Sequence, residues 1–117
     1  MKFAKCGCLA AALVLVACGE PGANNAAVEV ASRALQPSDP ALARIYNRSC
    51  RNCHTVAATG SPLTGDSSAW EPRMAKGMST LLDNVVNGFG GMPPFGLCMD
   101  CDADQFEALI RFMAEGK

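Results

Sequence analysis

The sequence is poor in imidazole, in large aromatics and in clustered charge. Among 117 residues there is one histidine, one tryptophan and one tyrosine. A metal held by imidazole is therefore held by this ring alone, and any further ligand comes from another residue type. Lys and Arg number 10 against 11 Asp and Glu, and they are scattered, so no basic block offers a nucleic-acid surface. No apolar run approaches the about 20 residues needed to cross a bilayer. No segment alternates apolar and polar residues convincingly, which argues against strands. The chain is one small domain at most. A domain of that size often needs a staple or a bound group to complete its core.

Cysteine is the exception to this scarcity. Seven occur, at Cys6, Cys8, Cys18, Cys50, Cys53, Cys98 and Cys101. The first two sit in a leader, where Lys2 and Lys5 precede the apolar run Leu9–Ala17 in the pattern of a secretory signal peptide. Leu15-Val16-Ala17-Cys18 resembles the lipobox of bacterial lipoproteins. That resemblance implies removal of residues 1–17, acylation of Cys18 and a place in the bacterial periplasmic space, anchored to a membrane. Gly19 supplies no retention signal, which favours the outer membrane. Residues 18–38 then read as a lipidated N-terminus and flexible tether, rich in Ala, Asn, Gly, Pro and Ser. A coil of about 20 such residues reaches roughly 25 Å. A short helix over 26–35 is the one element expected there. Residues 39–117 form the folded domain.

Within that domain the periodicities predict helices only. Asp39 caps and Pro40 opens a helix running to about Cys50, with Leu42, Ile45 and Tyr46 on one face. Residues 55–65 form a loop broken by Gly60, Pro62 and Gly65. A short helix over 68–74 has to place Pro72 in its first turn or be disrupted by it. Residues 79–87 carry the apolar stripe Leu81, Leu82, Val85 and Val86 and stop at Gly88. Residues 89–96, FGGMPPFG, are too rich in glycine and proline for regular structure and read as an extended loop. Asp102 and Gln105 form a capping box ahead of a last helix, on which Phe106, Leu109, Ile110 and Met113 share a face. The fold class expected is all-α.

Cys50-Arg51-Asn52-Cys53-His54 is C-x-x-C-H, the attachment pattern of a c-type haem. Two thiols separated by two residues can each add to one porphyrin vinyl group. The adjacent imidazole then lies beneath the ring, directed at the iron. A redox dithiol of this spacing needs a strand–helix pattern nearby, which the sequence lacks. Tetrahedral zinc would recruit Cys98 and Cys101 but leave His54 without a role. Met92 is the expected sixth ligand, because Gly90 and Gly91 let the backbone approach the porphyrin and Pro93 and Pro94 stiffen the loop. Met113 suits the core face of the last helix better. Met74 and Met78 flank a charged stretch, and Met99 lies within the second cysteine pair. That pair, Cys98 and Cys101, reads as a disulfide in an exported protein. It closes so short a loop that its entropic gain is roughly 2 kcal/mol at best. A redox-active dithiol is the other reading.

CRNCH, the GMPP methionine loop and the terminal helix together resemble a class I cytochrome c. Trp70-Glu71-Pro72-Arg73, the MPPFG loop and the Cys98/Cys101 pair narrow the resemblance to the cytochrome c5-like subgroup, over residues 40–117. It implies four to five short helices wrapped around one covalent haem c. It implies Cys50 and Cys53 as thioether anchors, His54 and Met92 as axial iron ligands, and a Cys98–Cys101 disulfide. It also implies that the Pro62 carbonyl orients the His54 imidazole. Trp70 has an indole donor and Arg73 a bidentate fork, so both are candidates to hold a haem propionate. The alternatives are a core tryptophan and a solvated arginine. Phe95 stands where a charged residue such as Lys would be unremarkable. With Phe89 it makes an apolar contact surface or packs on the haem.

Two strong axial ligands leave no position for substrate. The expected role is therefore an electron carrier, not an enzyme, that shuttles single electrons between membrane-associated redox proteins. A haem subunit or sensor with a displaceable sixth ligand is the alternative. The acidic stretch Asp100, Asp102, Asp104 and Glu107 reads chiefly as helix capping and a solvated face.

Overall fold

The computed structural model describes residues 21–117. The expected signal peptide (1–17) and Cys18 lie outside the described residues.

Helix α1 spans Pro21–Ala34, within the stretch expected to be a flexible tether. The short helix expected over 26–35 is present and starts earlier, while the flexible-tether reading is corrected over its second half, which is docked. Ser32 is fully buried, and its hydroxyl donates to the His54 carbonyl at 3.1 Å. The Ala57 amide donates to Glu29 Oε2 at 2.7 Å. The docking uses hydrogen bonds and a small side chain, which is why a scarcity of large apolar residues did not reveal it.

Helix α2 (Pro40–Ile45) starts as its sequence requires. Asp39 accepts the Leu42 amide at 2.7 Å, and Pro40 fills a first-turn position where no amide donor is needed. The rod does not reach Cys50 as a plain α-helix. Tyr46–Cys50 widens into a π-turn, with the Arg51 amide on the Tyr46 carbonyl, and α3 (Arg51–His54) follows directly. Such turns take one extra residue into the helical register. Tyr46, at the start of this one, is fully buried. Its hydroxyl lies 2.8 Å from Thr64 Oγ1, and its ring meets Phe112 edge-on at 4.9 Å. An aromatic pair of this kind contributes about 0.5–1.5 kcal/mol.

Helix α4 (Ser67–Met74) is capped by Asp66, which accepts the Ala69 amide. Pro72 sits near its C-terminal end and not in its first turn. The helix tolerates this because only the amide that would reach the residue-68 carbonyl is lost, and Ser68 is exposed to water. Helix α5 (Met78–Asn87) buries Leu81 and Val85, while Val86, expected on the same stripe, is 40% exposed. Gly88 ends it with φ 81, a backbone that side chains disfavour, and a Cβ there would lie 3.0 Å from the Met92 carbonyl oxygen.

The following segment is tighter than the extended loop expected. Phe89 and Met92 exchange backbone hydrogen bonds of 3.0 and 2.9 Å across Gly90-Gly91, and a 3₁₀ turn occupies Pro94–Leu97. Pairing closes the glycine turn on itself, and Pro94 presets the next. Helix α6 (Ala103–Glu115) carries the capping box as expected, with Asp102 accepting the Gln105 amide at 2.8 Å and Gln105 accepting the Asp102 amide at 3.0 Å. Phe106, Leu109, Ile110, Phe112 and Met113 point inward and meet Ile45, Tyr46, Trp70, Leu81 and Val85 in one core. The fold is all-α; an isolated Phe89–Met92 bridge is the only β-pairing among the described residues.

Candidate cofactor site

The π-turn and α3 carry Cys50, Cys53 and His54 to the wall of a cavity of about 540 Å³, which Met92 also lines. That size is within the roughly 300–1,000 Å³ typical of ligand sites. Leu81, Val85, Pro93 and Ile110 give it apolar walls, and Arg73 and Lys76 add cations. Cys50 and Cys53 are the free cysteines among the described residues. Burial, reinforced by Cys53, pushes the Cys50 thiol up to about 11, so it keeps its hydrogen at neutral pH.

His54 is 7% exposed and its Nδ1 lies 2.8 Å from the Pro62 carbonyl oxygen. A carbonyl can only accept, so Nδ1 carries the hydrogen and Nε2 keeps its lone pair for a metal. Burial lowers the His54 pKa, the Pro62 bond opposes the shift, and the Arg73 cation adds to it. The imidazole is therefore neutral at pH 7, which is the ligand form. The peptide after it is anchored too, since the Thr64 amide donates to the His54 carbonyl at 2.7 Å.

Met92 is half-buried and packs against the core. A Cβ on Gly96 would lie 3.2 Å from its terminal methyl, so the glycine seats the side chain closely. None of the rival methionines lines the cavity. Met113 is core, Met74 and Met78 pack on the core, and Met99 is 71% exposed. Phe95 turns toward the core, 6.3 Å from Phe106, whereas Phe89 and Leu97 remain largely exposed.

Cys98 and Cys101 are joined to one another, with Cα atoms 5.4 Å apart, so they are not free to complete a four-cysteine zinc site. Arg48 grips Asp100 through both carboxylate oxygens at 2.8 Å and lies 3.3 Å from Cys98 Sγ. The Arg48 guanidinium holds the Asp100 carboxyl below its usual range.

Trp70 does not join the cavity wall. It is buried, its indole donates to the Leu63 carbonyl at 2.9 Å, and its ring stacks 5.9 Å from that of His54. Its donor is thus spent on the loop that carries Pro62. Arg73 does line the cavity while donating to the Ala69 carbonyl. Lys76 is a cavity residue that sequence reasoning missed; its spacing of three from Arg73 was the available signal. Ser32 was missed as well, and no local signal marks it.

Two thiols, a neutral imidazole with an uncommitted Nε2, and a thioether around one apolar-walled cavity form the donor set a c-type haem needs.

Comparison with known proteins agrees. Residues 37–113 match the family described as cytochrome c oxidase, cbb3-type, subunit III. Cytochrome c-555 of Chlorobaculum tepidum is 38% identical over 67 residues, covering 57% of this chain and 62% of that protein. The chain thus spans a little under two thirds of that relative's length. Cytochrome c5 of Azotobacter vinelandii is 40% identical over 67 residues, covering 56% of this chain and 81% of that protein. A chain in a crystal structure described as an electron transfer complex of nitrite reductase with cytochrome c superposes with TM-score 0.59 at 35% identity, over 67% of this chain and 95% of that one.

Proposed function

This chain belongs to the class I monohaem cytochromes c, in their c5-like group, and from that membership we propose that it passes single electrons between redox proteins through one covalent haem c ligated by His54 and Met92. The observation that carries the reading is the meeting of Cys50, Cys53, His54 and Met92 around one cavity, with His54 Nδ1 committed to Pro62. The haem, when bound, supplies a one-electron couple at its iron.

The residues divide the remaining work. Cys50 and Cys53 would anchor the porphyrin through thioethers. The Pro62 carbonyl selects the tautomer and strengthens His54 as a ligand. The Met92 thioether would serve as the further iron ligand and would raise the potential relative to a second nitrogen ligand, which suits a carrier rather than a catalyst. Arg73 and Lys76 line the same cavity, and their cations would pair with haem propionates. The Cys98–Cys101 bridge and the Arg48–Asp100 pair tie the approach to α6 back to the π-turn. The nitrite reductase complex described for a chain of similar fold supports a redox protein as partner.

We also infer export and anchoring through acylated Cys18 to a membrane of the periplasmic space, with the outer membrane favoured. Gly19 and Glu20 separate Cys18 from α1 in sequence, so the anchor would lie close to a helix whose second half is docked. Replacing Cys18 with Ser is expected to release the protein into the soluble fraction; continued membrane fractionation would sink the anchoring.

The function is tested by the visible spectrum of exported protein, oxidised and reduced. A low-spin c-type spectrum with the weak sulfur-to-iron charge-transfer band is the expected result. A high-spin spectrum, with ready carbon monoxide binding by the reduced form, would overturn Met92 as ligand and favour a displaceable sixth position.

A further inference from the structure

We propose that helix α1 is a clamp on the axial histidine, with Ser32 a positioning residue that acts on the His54 imidazole through the His54 carbonyl; this rests on His54 being an iron ligand. The family match begins at residue 37, so α1 lies outside the matched region. Its bonds nevertheless converge on the backbone of the ligand and of two of the three residues after it. Ser32 Oγ donates to the His54 carbonyl at 3.1 Å, Arg33 Nε donates to the Thr55 carbonyl at 3.3 Å, and Glu29 Oε2 accepts the Ala57 amide at 2.7 Å.

Positions 29, 32 and 33 share one face of a helix. Glu29 and Arg33 also pair with each other, which orients both toward the loop. The attachment motif answers in turn, since Arg51 donates to the Arg33 carbonyl at 2.5 Å. Just past α1, the Gln36 and Asn47 side-chain amides exchange two hydrogen bonds, at 2.9 and 3.1 Å. Ser32 is fully buried, so its hydroxyl has no water to turn to and the bond to His54 is obligatory.

The effect on the ring follows from counting constraints. The His54 carbonyl accepts two donors, Ser32 Oγ from α1 and the Thr64 amide from the loop that carries Pro62. The Pro62 bond sets the rotation of the ring. The pair of donors sets the peptide plane, and with it the direction of Cα–Cβ. With Ser32 removed, the peptide can pivot about the Thr64 bond and the imidazole plane turns with it. Ring orientation is one of the levers by which surroundings tune a metal ligand. The clamp thereby acts on the iron without touching it.

The test compares full-length, haem-loaded Ser32→Ala and Glu29→Gln with Val30→Ala. Val30 lies on the same helix and is 72% exposed. The readouts are the reduction midpoint, the hyperfine-shifted proton resonances of the axial imidazole, and amide exchange at Ala57. Ser32→Ala is expected to shift the midpoint and the imidazole resonances. Glu29→Gln is expected to speed Ala57 exchange about tenfold and to move the resonances in the same direction. Val30→Ala should change none of these. The proposal is overturned if Ser32→Ala unfolds more easily yet keeps the parent midpoint and imidazole resonances, because Ser32 then only packs. If Ser32→Ala does not accumulate with haem, Glu29→Gln decides, and faster Ala57 exchange with unmoved resonances overturns the clamp. Absence of axial imidazole resonances in the parent protein would instead overturn His54 ligation itself.

Discussion

Around His54 the fixed points are hydrogen bonds, and around Met92 they are backbone shapes. The His54 ring and carbonyl are held by Pro62, Thr64 and Ser32, and Trp70 ties down Leu63 between Pro62 and Thr64. Met92 sits in a two-residue glycine turn with Phe89, flanked by Gly88 at φ 81, Phe95 at φ 58 and Gly96 at φ 54. An imidazole has a second nitrogen through which neighbours can steer it, whereas a thioether is a weak acceptor with no donor. The methionine side can therefore be organised only by placing the chain itself. The histidine side distributes its restraint over several bonds, and the methionine side concentrates it in a few conformationally special residues.

The largest expected effect breaks the methionine side at its centre. Met92→Ala should lower the reduction midpoint, abolish the sulfur-to-iron band and let the reduced protein bind carbon monoxide. Stability should fall by about 2 kcal/mol or more. Spectroelectrochemistry and a denaturant melt read both, and an unchanged midpoint would remove Met92 from the iron.

Gly88→Ala tests whether backbone shape alone holds that side. The new Cβ would meet the Met92 carbonyl and Pro94 at 3.0–3.1 Å in a left-handed conformation. A loss of about 1–3 kcal/mol is expected, with weakening of the sulfur-to-iron band. A melt that overlays the parent would show that the turn is more pliant than its geometry.

Trp70→Phe makes the matching cut on the histidine side. It keeps an aromatic ring beside His54 but strips the donor from the Leu63 carbonyl. About 1–2 kcal/mol should be lost and the axial imidazole resonances should move, while the sulfur-to-iron band persists. Loss of that band would mean that the two sides are coupled rather than separate.

Asp100→Asn is the smallest change and bears on the strap between the sides. Arg48 depresses the Asp100 pKa in the folded chain. A carboxyl depressed on folding contributes stability above its ordinary range, near pH 3.9, and loses it as pH falls through the folded value. The parent should therefore lose this contribution only below about pH 4, and Asp100→Asn should show a shallower acid limb there. Asp100 is exposed, so added salt should shrink the difference between the two acid titrations.

Much of this arrangement is legible locally. C-x-x-C-H places two thiols and an imidazole within five residues, so the covalent haem c of the family is legible from local spacing alone. Asp39-Pro40 and the Asp102/Gln105 box start helices with their own side chains, as the structure has them. The less legible features all depend on distant partners. Trp70 was a candidate for a propionate because its donor looked uncommitted, and Leu63 takes it. Phe95 was a candidate for the surface, and Phe106 on α6 draws it inward.

What the sequence by itself determined is the attachment of a c-type haem and the all-α class. Each is written in short-range spacing, and chain geometry carries such spacing directly into space. Only the tertiary structure decided that the N-terminal stretch docks as a helix, because its bonds reach from Ser32 and Arg33 to carbonyls 22 residues away. A serine that caps, solvates or clamps looks the same in a sequence. Which of these it does depends on whether a buried carbonyl lies within reach, and that is settled when the rest of the chain folds around it.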